Sequence, residues 1–249
     1  MRRRFSFDKN RELEDFLIRF YPAGNYTWTV PAGCREVDVF LVGGGGGSGY
    51  NGNAAGAGGG YTKTFKKDTT GWKDGDAIPV TPGQAIPIIV GAGGNVRANG
   101  GYSQFLNISY RANGGYTNNK GWDNSGNGMG YVGGNGGSGG GCDEGMGATG
   151  AGGSDGGDGS TYLYGAYNKG EGQGHTTRDF GEPTGKRNAG GGAGARGTNN
   201  IGGVSDYKEG SGYGGALGGG GYGGGAGATS LRGGDGTVLI RGKRYVTML

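Results

Sequence analysis

The stretch GYGGALGGGGYGGGAG, residues 212–227, decides how the chain is read. Glycine falls on every third position in it: Gly212, Gly215, Gly218, Gly221, Gly224 and Gly227. This period is neither the 3.6 of an α-helix nor the 2 of a strand. It matches polyproline II, with about three residues per turn and a rise of about 3.1 Å. Glycine along one edge of such a helix lets another backbone lie directly against it. The same spacing recurs at Gly147, Gly150, Gly153, Gly156 and Gly159, at Gly191, Gly194 and Gly197, and at Gly43, Gly46, Gly49 and Gly52. The rows therefore predict a bundle of extended helices, each lending its glycine edge to its neighbours.

Energetics narrow that reading. Polyproline II makes no hydrogen bonds within itself, and buried N–H and C=O groups need partners. Only bonds between neighbouring segments can stabilise a glycine core. A disordered linker tolerates any glycine spacing, whereas here the period persists between aromatic-rich turns. Collagen leans on proline, and 6 prolines against 71 glycines do not fit it.

Outward from the rows, composition sets bounds. A chain of 249 residues holds one domain or two. Hydrophobic residues at 32% confine a conventional core to part of it. The net charge of +4 is modest, and Arg2-Arg3-Arg4 is too short a cluster to argue for nucleic acid. Arg196-Gly197 and Arg232-Gly233-Gly234 are isolated rather than RGG repeats, so no nucleic-acid partner is expected. FSFDKNRELEDFLIRF carries charges throughout and no apolar signal core. Cys34 and Cys142 do not make a disulfide framework, and whether they pair stays open. These features suggest a chain made in a cytoplasm and assembled there into a virus particle.

Along the chain, residues 1–20 read as a separate attachment arm. Leu13, Phe16, Leu17 and Phe20 recur at i, i+3, i+4 and i+7, one face of a short helix. Residues 26–30 and 36–42 alternate as strands, and 61–65, 77–80, 85–90 and 102–106 also read as strand segments. Pro79 and Pro87 argue for edge or irregular pairing. Residues 236–241 read as a closing strand that pairs with the early ones. The fold class expected is mainly β and irregular. It is a β-sandwich built from both chain ends, about 21–106 plus 236–246, with an inserted bundle of glycine-rich polyproline II helices over about 107–235. Residues 21–249 together form the glycine-rich domain.

Catalysis finds little support. His175 is the only histidine and no nucleophile motif surrounds it. Gly-x-Gly-x-x-Gly patterns carry no information at this glycine content, and Gly185-Lys186 lacks the Ser or Thr of a phosphate loop. Asp155 and Asp158 in GGSDGGDGS bear a faint likeness to calcium-binding nonapeptide repeats, but a single copy lacks the neighbouring turn. The reading is non-enzymatic, with no cofactor and no metal. Loops rich in Tyr, Trp, Asn, Ser and Gly match the composition of binding loops, where rigid aromatics supply contact area. Recognition candidates are Trp72, Tyr116, Trp122, Tyr131, Tyr162, Tyr164, Tyr167 and Tyr207, some of which serve only to cap the glycine rows.

Four motifs carry a family resemblance: YTWTVPAGCREVDVFLVGGGGGSG (26–49), VTPGQAIPIIVGAGG (80–94), TTRDFGEPTGKRNAGGGAGARG (176–197) and GGDGTVLIR (233–241). In this order they resemble the glycine-rich domain of many phage and prophage tail-associated proteins, over roughly residues 21–241. Arg187-Asn188 departs from the more apolar pattern of that family. The polyglycine II tail-fibre adhesins of T-even-type phages are similar in their glycine rows, without a shared linear motif. The glycine-rich region of the anaplastic lymphoma kinase receptors is more distantly similar in layout. The resemblance implies a β-sandwich from which a glycine bundle emerges. It also implies a virion protein, foremost a tail or fibre-tip adhesin for a bacterial surface glycan or outer-membrane protein. Other tail, fibre or baseplate proteins are the expected partners, together with further copies of the chain. The alternative is a structural or decorative virion protein of tail or capsid. An ice-binding face is disfavoured by irregular charged positions such as Lys169 and Glu171.

Overall fold

The computed structural model describes residues 11–48, 55–117, 119–120, 131–142, 150–160, 169–194, 202–207, 222–227 and 232–247. The fold is built from apolar alternation. In EVDVFLV, β3 (Glu36–Val42), Val37, Val39 and Leu41 point to one side. In AIPIIV, β6 (Ala85–Val90), Ile86, Ile88 and Val90 do the same. With Trp28, Phe105, Val238 and Ile240 they form the main core.

The strands are β1 (Arg11–Phe20), β2 (Gly24–Thr29), β3, β4 (Thr62–Phe65), β5 (Ile78–Pro79), β6, β7 (Ser103–Phe105), β8 (Arg111–Ala112), β9 (Asn119–Lys120), β10 (Tyr131–Val132) and β11 (Thr237–Thr247). One sheet runs β1-β11-β3-β4 with β5 also on β3, and the other runs β2-β6-β7-β8. β9 and β10 make a small ribbon. Every strand pairing in the sheets is antiparallel. The closing strand β11 lies between β3 and β1, so the two ends of the chain meet in one sheet. Proline behaves differently at its two sites. Pro79 sits on the two-residue β5, but β6 is an inner strand. Its paired residues on the β7 side are Ile88 and Ile89, and Pro87, which has no N–H to give, takes part there only as an acceptor, from Leu106 N–H at 3.0 Å.

The first sheet is covered on both faces. Phe40, Val42 and Leu239 face away from the main core and form a second cluster with Phe180 and Ala189. The segment 177–189 lies over them, which explains why β3 is apolar on both sides at its end. Phe180 takes a left-handed φ of 51° and sets its ring 6.0 Å from that of Phe40. The Arg241 guanidinium stacks on Phe180 at 4.1 Å. The departure at Arg187-Asn188 is absorbed here. Asn188 is buried and donates through Nδ2 to the Thr177 and Lys186 carbonyls and to Asp179 Oδ1. Arg187 turns outward to Asp206, whose carboxyl it holds down at about 2.

Two expectations are corrected. Residues 11–20 are not a helix or a detached arm. They are β1, paired with β11 from Arg11↔Thr247 to Phe20↔Val238. The four residues read as one helical face divide between two sides of the strand. Phe16 and Phe20 pack toward the core, while Leu13 and Leu17 stand exposed.

The inserted bundle of polyproline II helices is also overturned. Among the described residues the architecture is all-β, with two main antiparallel sheets and a single 3-10 turn at Asp179–Gly181, and no helical bundle is inserted. Gly212, Gly215, Gly218 and Gly221 lie outside the described residues, and Gly224 and Gly227 lie in an irregular stretch. The physical reason shows at Gly43–Gly47. A Cβ on each of these consecutive residues would meet a backbone carbonyl oxygen, of Asn113 (2.0 Å), Ala92 (2.0 Å), Gly224 (1.9 Å), Tyr116 (2.3 Å) and Asn95 (1.9 Å). Glycine is required on every side of that segment, not along one edge in three. The segments still satisfy one another: Gly44 N–H donates to Gly101 (2.8 Å), Gly45 to Gly234 (2.9 Å) and Gly46 to Gly58 (2.9 Å). Two side chains tie this region to the sheets. Ser103 Oγ donates to Val42 and accepts from Gly91, and Asp235 accepts from Gly93 and Ala23.

Candidate functional site

The loop after β4 is fixed before it displays anything. Lys66, fully buried, donates its ammonium to the Thr70 carbonyl and lies 3.9 Å from Glu182. Asp68 accepts from the Thr70 N–H at 2.6 Å. Gly71 has φ +76°, and a Cβ there would stand 2.1 Å from the Gly181 carbonyl oxygen. That oxygen accepts from Trp72 N–H at 2.9 Å. Asp74 closes the loop, accepting from Lys63 Nζ (2.7 Å) and from Thr64 N–H (2.8 Å). Trp72 is thus held out on a rigid turn with 43% of its surface exposed.

A second loop braces it. Gln173 accepts from Thr62 N–H at 3.0 Å and donates to Thr62 Oγ1 at 2.6 Å, which fixes residues 173–176 to β4. The His175 ring lies flat against Trp72, centroids 4.3 Å apart and planes 8° apart. His175 Nδ1 is 3.2 Å from the Thr176 carbonyl oxygen, so in the neutral ring it carries the proton and Nε2 is an acceptor. Burial lowers the His175 pKa below its ordinary value, which favours that neutral form.

The other aromatic candidates separate by surroundings. Tyr116 is exposed, edge-on to Tyr61 at 6.4 Å, on a glycine segment whose main chain bonds to Asn135 and Gly58. Tyr207 is committed internally. Its hydroxyl donates to Asp179 and accepts from Arg19, and its ring meets Tyr222 edge-on at 5.0 Å. The Arg19 guanidinium stacks on both tyrosines, and burial pushes the Tyr207 phenol well above its ordinary range. Tyr131 opens β10 opposite Lys120. Trp122, Tyr162, Tyr164 and Tyr167 lie outside the described residues.

Asp155 and Asp158 do not offer free carboxylates. Asp155 accepts from Thr176, Thr177 and Arg178, and Asp158 from Lys169 and Gly172. Cys34 and Cys142 are both buried, and no disulfide joins them. Sequence reasoning singled out Trp72 but missed its partners. His175 is about a hundred positions away in sequence, and the Gln173–Thr62 staple helps to bring it alongside. The available signal was that the sole histidine lies just before the TTRDFGEPTG motif.

The architecture defines a class: an all-β sandwich joined to glycine connections that pack backbone on backbone. The family model of the glycine-rich domain matches residues 21–243, and the chain belongs to that family. No curated protein matches the chain.

Proposed function

We propose that the chain is a phage virion protein, a non-enzymatic adhesin at a tail or fibre tip that binds a bacterial surface receptor. The four motifs in their order support the phage assignment, and one observation carries the receptor role. Trp72 stands exposed on a turn fixed by Lys66, Gly71 and Asp74, with its ring braced by His175. A rigid aromatic anchor loses little conformational freedom on binding, which is what a contact hot spot requires. Particle assembly would take place in the host cytoplasm with other virion proteins. The exposed Leu13 and Leu17 on β1 offer them an apolar face in place of the detached arm. The second reading is a structural or decorative virion protein. The internal commitment of Tyr207, one of the aromatic candidates, favours it.

The test is adsorption of the purified chain to a panel of bacteria. Trp72→Ala is expected to weaken attachment by about 2 kcal/mol, roughly thirtyfold, with melting nearly unchanged. If Trp72→Ala and Tyr116→Ala both leave adsorption intact in a folded protein, the adhesin reading fails and the decorative one replaces it.

A further inference from the structure

β1 has a strand on one side only. β11 pairs with it along its whole length, and among the described residues no strand pairs with its other edge. Which main-chain groups face that edge follows from β11. Tyr245 N–H donates to Ala32, on the β3 side, so the pair Leu13↔Tyr245 is one that exchanges no bonds. In an antiparallel ladder such pairs alternate with bonded ones. Glu12, Glu14, Phe16, Ile18 and Phe20 therefore turn their N–H and C=O groups to β11, while Arg11, Leu13, Asp15, Leu17 and Arg19 turn theirs outward. An open edge of this length is a template for another strand. Beside it, Ile18 and Phe20 are only partly buried at the margin of the main core.

The residues of β1 select the strand that fits. A second copy related by a twofold axis sets β1 antiparallel to itself, with the same patch on both sides. Directly opposed side chains share a face of the sheet, and like charges opposed in this way destabilise it. Centred on Asp15, the pairing opposes Asp15 to Asp15 and Arg11 to Arg19. Centred on Glu14, it opposes Glu14 to Glu14. Centred on Phe16, it sets Asp15 against Leu17 and Glu14 against Ile18. Centred on Leu17, it sets Asp15 against Arg19 of the second copy, Phe16 against Ile18 and Leu17 against Leu17, and no like charges face one another. The acidic residues thus exclude the other registers and complement this one. We propose that β1 is a homodimer interface, at which two copies join edge to edge, antiparallel and centred on Leu17, into one continuous sheet. Asp15, Leu17 and Arg19 exchange main-chain hydrogen bonds with Arg19, Leu17 and Asp15 of the second copy. The outer face carrying Leu13 and Leu17 stays open to other virion proteins, and the pairing does not depend on the receptor role.

The experiment is analytical ultracentrifugation of the full chain over a range of concentrations, alongside Leu17→Lys, Leu17→Asp and Asp15→Lys, each checked by melting temperature. Leu17 is 64% exposed, so its variants are expected to fold. The parent is expected to reach the mass of two chains. Leu17→Lys and Leu17→Asp each set like charges across the axis and should weaken dimerisation at least about tenfold. Mixed in equal amounts, the two should dimerise again, because an axis through Leu17 sets the lysine of one against the aspartate of the other. Asp15→Lys, which faces Arg19 of the second copy, should also weaken the dimer. In hydrogen exchange, the Asp15, Leu17 and Arg19 amides should be slow in the parent and fast in Leu17→Lys. A parent that stays a single chain, a dimer that Leu17→Lys leaves intact, or a mixture that does not dimerise overturns the proposal. Assemblies of three or more chains overturn it too, since a twofold pairing closes at two. Should the Leu17 variants fail to fold, an undiminished Asp15→Lys dimer overturns it instead. A single-chain parent whose β1 amides become slow only when another virion protein is added assigns the edge to that protein and refutes self-pairing.

Discussion

The two halves of the molecule keep water out by opposite means. Between the sheets, side chains do it: Val39, Leu41, Ile86, Ile88, Phe105 and Ile240 are almost wholly buried against one another. In the glycine connections, backbone does it, with carbonyl oxygens standing where side chains would be. The sandwich draws on apolar burial, about 25 cal/mol per Å². The glycine region buries little apolar surface and depends on hydrogen bonds between segments, each worth about 1 kcal/mol net. The lesson concerns tolerance. A side-chain core accepts a smaller residue at the cost of a cavity, whereas a backbone core has no room for a larger one.

Gly45→Val tests that contrast with the largest effect. Its Cβ would lie 1.9 Å from the Gly224 carbonyl oxygen, and Gly45 N–H is bonded to Gly234. The substitution is expected to cost more than about 4 kcal/mol, seen as loss of the cooperative melt. A variant that melts like the parent would show that the glycine segments separate freely. Next in size, Phe16→Ala should cost about 3 kcal/mol by emptying space beside Trp28. Leu17→Ala, at 64% exposure, should change stability by less than about 0.5 kcal/mol. Equal effects at the two sites in chemical denaturation would restore the single helical face. Smaller again is Gly83→Ala. Nothing lies within 4 Å of a Cβ there, so only the φ of +82° opposes it. About 1 kcal/mol is expected, and a loss as large as that of Gly45→Val would break the distinction between crowded and open glycines.

The smallest effect follows pH. His175 has a folded-state pKa below its ordinary 6.5. Between those two values the unfolded chain binds a proton that the folded chain does not. Stability is therefore full above pH 6.5 and declines as pH falls through that window. His175→Phe should flatten this part of a melting-temperature profile. An unchanged slope would mean that the brace on Trp72 does not carry the titration.

Much of the sandwich could be read from alternation. β2, β3 and β6 lie where apolar residues recur at every second position, and the closing strand, with its apolar run Val238–Ile240, meets β3. β1 misled for an instructive reason. Phe16, Ile18 and Phe20 alternate as a strand does, while Leu13, Phe16, Leu17 and Phe20 satisfy the helical spacing. Ten residues paired with β11 decide between them, and that pairing joins opposite ends of the chain. The exposed aromatics were only half legible. Composition picks out Trp72 and Tyr207 alike, but the Arg19 and Asp179 contacts that retire Tyr207 come from distant segments.

The sequence by itself determined where a Cβ is forbidden and where apolar faces alternate, because both are written in single residues and short spacings. It did not determine which backbone approaches each glycine. A missing side chain permits contact on any side, so a three-residue spacing was compatible with a helical bundle that the described residues do not form. Tertiary structure alone decided that Gly43–Gly47 are surrounded on every side, that Phe180 seals the outer face of β3, and that His175 lies flat on Trp72. Each of these depends on a partner far away in the chain, and local spacing carries no record of such partners.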